Sequence, residues 1–83
     1  MPLFMDTHRK IEGLTADAVA NAHKMDLAVQ EKHNVRYLQY WFNEKDGTIF
    51  CLCEAPSKEA ADRVHREAHG LVPESVLPVV EGH

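Results

Sequence analysis

Two runs dense in β-branched and aromatic residues, Val35 to Phe42 and Thr48 to Ala55, are separated only by Asn43-Glu44-Lys45-Asp46-Gly47. An Asp-Gly pair between such runs is a strong local signal for a hairpin, because glycine readily takes the positive φ that the turn demands. Two antiparallel strands are therefore expected, and the rest of the chain must be arranged around a sheet. Upstream, Leu3 to His8 reads as a strand with Leu3, Met5 and Thr7 on one face and Phe4, Asp6 and His8 on the other. Gly13 then marks a turn, Thr15 is a good N-cap, and no Gly or Pro interrupts the run to His33, which predicts a first helix. Pro56-Ser57 opens a second helix that Gly70 closes, and Ser75 to Glu81 supplies a last strand that Pro78 confines to an edge or bulge.

The order β-α-β-β-α-β predicts a ferredoxin-like α+β fold, a four-stranded antiparallel sheet with two helices on one face, formed by residues 1–83 as a single domain. In the first helix Ala18, Ala22, Met25 and Val29 are spaced to make the stripe that faces the sheet, with His23, Asp26 and Gln30 along its border. Ala60, Ala61, Val64 and Ala68 do the same in the second. Two helices cover only one sheet face. Trp41, Tyr37 and Phe50 are expected on the other, where a second copy of the chain would keep them dry. A domain of 83 residues sits near the lower limit of what buries an adequate core unaided, which also favours a homodimer.

The net charge is −4, and no dense Lys or Arg cluster is present to track a phosphate backbone, which argues against nucleic acid as a partner. No stretch approaches the ~20 apolar residues that span a bilayer, and Met1 to Lys10 lacks the pattern of a secretory signal, so a cytoplasmic protein away from the membrane is expected. Cys51 and Cys53 share a strand face at a spacing unsuited to a disulfide and are expected as reduced thiols.

Six histidines in so short a chain invite a metal reading. His65 and His69 stand at i and i+4, close enough on a helix for two imidazoles to converge on one ion. The first His is not followed by the Glu of the zinc-protease helix motif, so that hydrolytic chemistry is not expected. His23 and Asp26 form an imidazole and carboxylate pair at i and i+3, a donor set suited to nickel, zinc, copper or iron. Asp6 and His8 add a second such pair on one strand face, polar groups that fit a dimer interface better than a core. Cys51 offers a soft donor, though a buried free Cys is most often a small hydrophobe. His33 and His83 read as solvated. The helices are expected to run in the same sense, which lets Asp26 reach His65 but places His8 at the far end of the sheet.

Four blocks, Ala22-His23-Lys24-Met25-Asp26-Leu27, Val35-Arg36-Tyr37-Leu38-Gln39-Tyr40-Trp41, Cys51-Leu52-Cys53-Glu54-Ala55-Pro56 and His65-Arg66-Glu67-Ala68-His69-Gly70-Leu71, together resemble a family of small bacterial nickel-binding proteins, formerly catalogued as a domain of unknown function. The likeness runs along nearly the whole chain. It implies a ferredoxin-like dimer that binds nickel near the subunit interface, and it carries the family's polar positions onto His8, His23, Asp26, Trp41, Cys51, His65 and His69. Cys53 departs from the pattern, where an apolar residue is expected, and so is not a required ligand. Nickel over zinc or copper rests on the resemblance, because imidazole and carboxylate donors do not choose among these ions.

The expected metal set is therefore His65, His69, His23, Asp26 and His8, with Asp6, Cys51, Gln30 and Trp41 as further positions, and the expected role is storage, sequestration or delivery without catalysis. A competing expectation is a small dimeric enzyme of oxygenase or isomerase type, with Asp6 and His8 as acid–base groups under Trp41 on the open sheet face. Fold alone does not decide between them.

Overall fold

The computed structural model describes residues 1–82; His83, expected to be solvated, lies outside the described residues. Strand β1 (Leu3–His8) leads into helix α1 (Ala16–Val29), and a 3-10 segment (Gln30–His33) carries the chain to strand β2 (Arg36–Asn43). Strand β3 (Thr48–Glu54), helix α2 (Lys58–Ala68) and strand β4 (Ser75–Val79) complete it. The strands are antiparallel neighbours in the order β2-β3-β1-β4, which puts Pro78 on an edge, where a missing amide proton costs no ladder bond. This is the ferredoxin-like arrangement read from the sequence.

The caps act as anticipated. Thr15 accepts from the Ala18 amide and Ser57 from the Ala60 amide, satisfying helix-end donors that would otherwise go unpaired. Gly70 ends α2 with φ +79° and its amide donates to the His65 carbonyl. The hairpin turn is pinned to a second loop, because the Gly47 carbonyl accepts from the Ile11 amide at 3.0 Å. A Cβ on Gly47 would meet the Ile11 carbonyl oxygen at 2.7 Å, and the backbone there has φ +66°. Gly47→Ala should therefore cost at least about 1–2 kcal/mol, the cost of a left-handed L-residue, plus the clash. An unchanged urea midpoint would show that the turn relaxes freely.

Two elements are turned differently from the sequence expectation. In α1, Val19 and Asp26 are buried while Ala18 and Met25 are exposed. The inward face thus runs through Val19, Ala22, His23, Asp26 and Val29, because a carboxylate supplied with donors can be buried where its spacing looked like a border. In β2, the pairing slips between Tyr37 and Gln39, leaving Leu38 as the extra residue of a bulge. The bulge puts Tyr37 in the core under the helices and leaves Trp41 on the open face, although strict alternation would place them together. Gln30 steadies the bulge, its Oε1 accepting from the Tyr37 amide at 2.8 Å.

The apolar core of Phe4, Leu14, Val19, Val35, Tyr37, Ile49, Cys53, Ala55, Ala60, Ala61 and Val64 lies between the sheet and the helices. The opposite sheet face presents Leu3, Met5, Trp41, Phe50, Leu52 and Leu77, several of them well exposed. Among the described residues, no helix is long and apolar enough to cross a membrane.

Candidate metal centre

Strand register fixes how the helices run. α1 leaves β1 at His8 and enters β2 at Arg36, which pairs with Glu54, itself opposite Leu3. α2 starts from that same end and enters β4 at Ser75, opposite Thr7. The helices are therefore antiparallel, and the C-terminal turns of α2 lie above the His8 end of β1. This corrects the expectation of a common sense, which placed His8 far from His65. The two rings are in fact in edge contact, with centroids 4.9 Å apart.

The face of β1 carrying Phe4, Asp6 and His8 is the helix-covered core face, so Asp6 and His8 do not line the open face. Asp6 is wholly buried and His65, at 1% exposure, is nearly so. They form the middle of a chain of alternating imidazoles and carboxylates. His8 Nε2 lies 3.2 Å from Asp6 Oδ1, and Asp6 Oδ2 accepts from His65 Nε2 at 2.9 Å. On the other edge of the His65 ring, Nδ1 donates to Asp26 Oδ1 at 2.9 Å, and that same oxygen lies 3.0 Å from His69 Nε2. The Tyr37 hydroxyl donates to Asp6 Oδ2 at 3.0 Å and sits 2.8 Å from His65 Nε2. The His8 contact is poorly aligned, and Asp6 Oδ1 is left without a well-formed hydrogen bond.

Charge explains how these groups tolerate burial. Burial alone would drive the proton off His65, but hydrogen bonds to Asp26 and Asp6 outweigh it and push its pKa up to about 12. Burial would raise the pKa of Asp6, and its hydrogen bond to His65 with the nearby His8 imidazole holds it down to about 2 instead. Asp26 is lowered too, with burial opposed by His65 and His69. Burial raises the Tyr37 phenol further above its usual range, so it stays a proton donor, and pushes the Cys51 thiol up to about 11. Without an ion, His65 is thus an imidazolium held between two carboxylates.

Two groups of donors converge here, one on each edge of the His65 ring: Asp26, His65 and His69, and Asp6, His8, Cys51 and His65. In the first, the three donor atoms form a triangle with edges of 2.9, 3.0 and 3.3 Å. Donors about 2.1 Å from an ion and at right angles to one another lie about 3.0 Å apart, so this triangle fits three adjacent positions around one ion. The residues present therefore suit a transition metal in donor chemistry and in spacing.

Other expected positions fall elsewhere. The His23 ring packs on Tyr40 at 4.7 Å and belongs to neither donor group. Gln30 holds the β2 backbone, and Trp41 lies on the far sheet face, so an acid–base site of Asp6 and His8 under Trp41 is not formed. His33 is paired with Glu67 at 2.8 Å and is not simply solvated. Cys51 and Cys53 are both free, as expected of reduced thiols. The residue that sequence reading missed is Tyr37, hidden by the bulge; the Gln30 side chain seven residues before it is the only nearby hint.

The structure is closely similar to the crystal structure of SCO4226 from Streptomyces coelicolor A3(2), with a TM-score of 0.91 and 42% sequence identity over 98% of this chain and 99% of that one. No curated protein sequence matches the chain. The profile of the family described as nickel responsive protein SCO4226-like matches residues 4–79. That span is almost the whole sequence, and the chain belongs to the SCO4226-like family of nickel-responsive proteins.

Proposed function

We propose that this protein is a cytoplasmic nickel-binding protein that sequesters, stores or delivers the ion without catalysis of its own, and that the ion is held by Asp26, His65 and His69. The observation that carries this reading is the triangle of three donor atoms just described. Charge supports it. Two buried carboxylates share one imidazolium, leaving one negative charge unmatched by His65. A divalent ion in place of the His65 Nδ1 proton matches both carboxylates.

The surrounding residues prepare that exchange. Asp6 accepts the Nε2 proton of His65, so the ring keeps a proton on that edge and can present Nδ1 as a lone pair. Tyr37 holds the Asp6 carboxylate in place by its own donated proton. His69 is set differently: its Nδ1 accepts from the Leu71 amide, which leaves the ring proton on Nε2, aimed at Asp26. For His69 to bind through Nε2, that proton must move to Nδ1, and the Leu71 amide must turn away. The exposed segment after α2 has no regular structure to resist this.

Three protein donors leave coordination positions open, the arrangement of an exchangeable site and not of a closed structural one. The choice of nickel over zinc or copper rests on the family to which the chain belongs. We also assign the open sheet face to a homodimer, since Trp41 at 42% exposure and Leu77 at 60% are costly to leave in water.

Calorimetric titration of metal-free, untagged protein with nickel should give saturable binding, weakened at least about 100-fold in His69→Ala and Asp26→Asn. Sedimentation of the same samples should give twice the chain mass. Equal affinity in the parent and both variants would remove the site.

A further inference from the structure

The inner edge of the His65 ring faces a second donor group, of which the nickel reading takes only His65 as a ligand. Carboxylate, imidazole and thiolate donors from Asp6, His8, Cys51 and His65 converge there, with ligating atoms all within 4.8 Å of one another. All four residues are buried. They come from three elements, with Asp6 and His8 on β1, Cys51 directly opposite Asp6 on β3, and His65 above them on α2. Asp6 is fully buried, yet its Oδ1 has no well-formed hydrogen bond. A carboxylate oxygen without an aligned donor in a small core is costly, and coordination to an ion would satisfy it.

We propose that Asp6, His8, Cys51 and His65 form a second, closed metal site for a borderline or soft divalent ion, distinct from the outer one. Four-coordinate sites place nitrogen and oxygen donors about 2.0–2.2 Å and sulfur about 2.3 Å from the ion, so the donors need to close by only about 1 Å. The two sites differ in kind. The outer group has three donors and open positions, so its ion exchanges. The inner group has four donors, one of them a thiolate, with no protein position left open, so its ion is retained. Binding replaces the Cys51 thiol proton and the His65 Nε2 proton, both released to solvent. With both sites filled, His65 bridges two ions as an imidazolate, and the two dications are matched by Asp6, Asp26, the Cys51 thiolate and that imidazolate.

The inference shares with the nickel reading the premise that His65 ligates, so the test separates them by the thiolate. Reduced, metal-free protein is titrated with cobalt(II) alone and followed by absorption. The expected result is a near-ultraviolet thiolate-to-cobalt charge-transfer band with the intense visible bands of four-coordinate cobalt. The charge-transfer band should be lost in Cys51→Ser, while Cys53→Ser and His69→Ala keep it. Circular dichroism of each variant confirms folding, and Cys51→Ala serves if the serine variant unfolds. Weak six-coordinate bands without charge transfer would overturn the inner site and leave the outer one standing. Loss of the band in Cys53→Ser, with retention in Cys51→Ser, would also overturn it. No spectral change at all would remove both sites.

Discussion

His65→Ala should destabilise the fold by about 3–5 kcal/mol, the scale seen when one partner of a buried ion pair is deleted. The imidazole is almost wholly buried and is the shared hydrogen-bond partner of Asp6 Oδ2 and Asp26 Oδ1. Deleting it strands two carboxylates in the core and leaves a cavity beside them. Urea unfolding of the metal-free protein measures the loss. The diagnostic comparison is a variant in which Asp6, Asp26 and His65 are all replaced by Leu. Buried charge networks exchanged whole for apolar side chains are often no less stable, so this variant should recover most of the deficit. A single substitution no less stable than the parent, or a triple one no better than the single, would show that charge pairing is not what holds this layer together.

Stability of the metal-free protein should also depend on pH on both sides of a plateau. Asp6 has its pKa lowered from 3.8 to about 2 by folding, so its contribution is complete above 3.8 and is lost as pH falls towards 2. His65 has its pKa raised from 6.5 to about 12, so its contribution is complete below 6.5 and is lost as pH rises towards 12. Cys51, raised from 9.0 to about 11, acts in the same alkaline direction once pH passes the free-thiol value. The melting temperature should therefore be highest between 3.8 and 6.5, and above that window stability should fall by up to about 1.4 kcal/mol per pH unit. Thermal melts in the presence of a chelator check it. An alkaline limb as flat as that of His65→Ala would contradict the doubly bonded imidazolium.

The element order was legible because each element carries a local signal: Asp46-Gly47 for the hairpin, Thr15 and Ser57 for the caps, Gly70 for the stop and Pro78 for the edge. The convergence of His65 with His69 was legible from helical spacing; Asp26 does reach His65, but between antiparallel helices and not through the common sense expected. What stayed hidden depended on long-range geometry. Whether Asp6 and His8 face the helices or the open side depends on which sheet face the helices cover. Alternation along one strand is the same either way. Tyr37 was misplaced because a bulge resets alternation, and nothing in Val35 to Trp41 marks where the extra residue falls. Asp26 was read at a border because a carboxylate inside is affordable only when imidazoles from another helix meet it, and that partnership is invisible within α1.

The row of ionisable side chains beneath the helices also restricts how β1 can add to the sheet. Shifting that strand by one residue turns its polar side groups over and is opposed by hydrophobicity alone. A slide of two residues keeps the same side inward and would put Phe4 or His8 in the place of Asp6 beneath α2. The negative charge at position 6, opposite His65 and next to the Tyr37 phenol, favours the native alignment. The groups proposed to collect an ion therefore also favour one alignment of the central strand, by seating Asp6 between His65 and Tyr37.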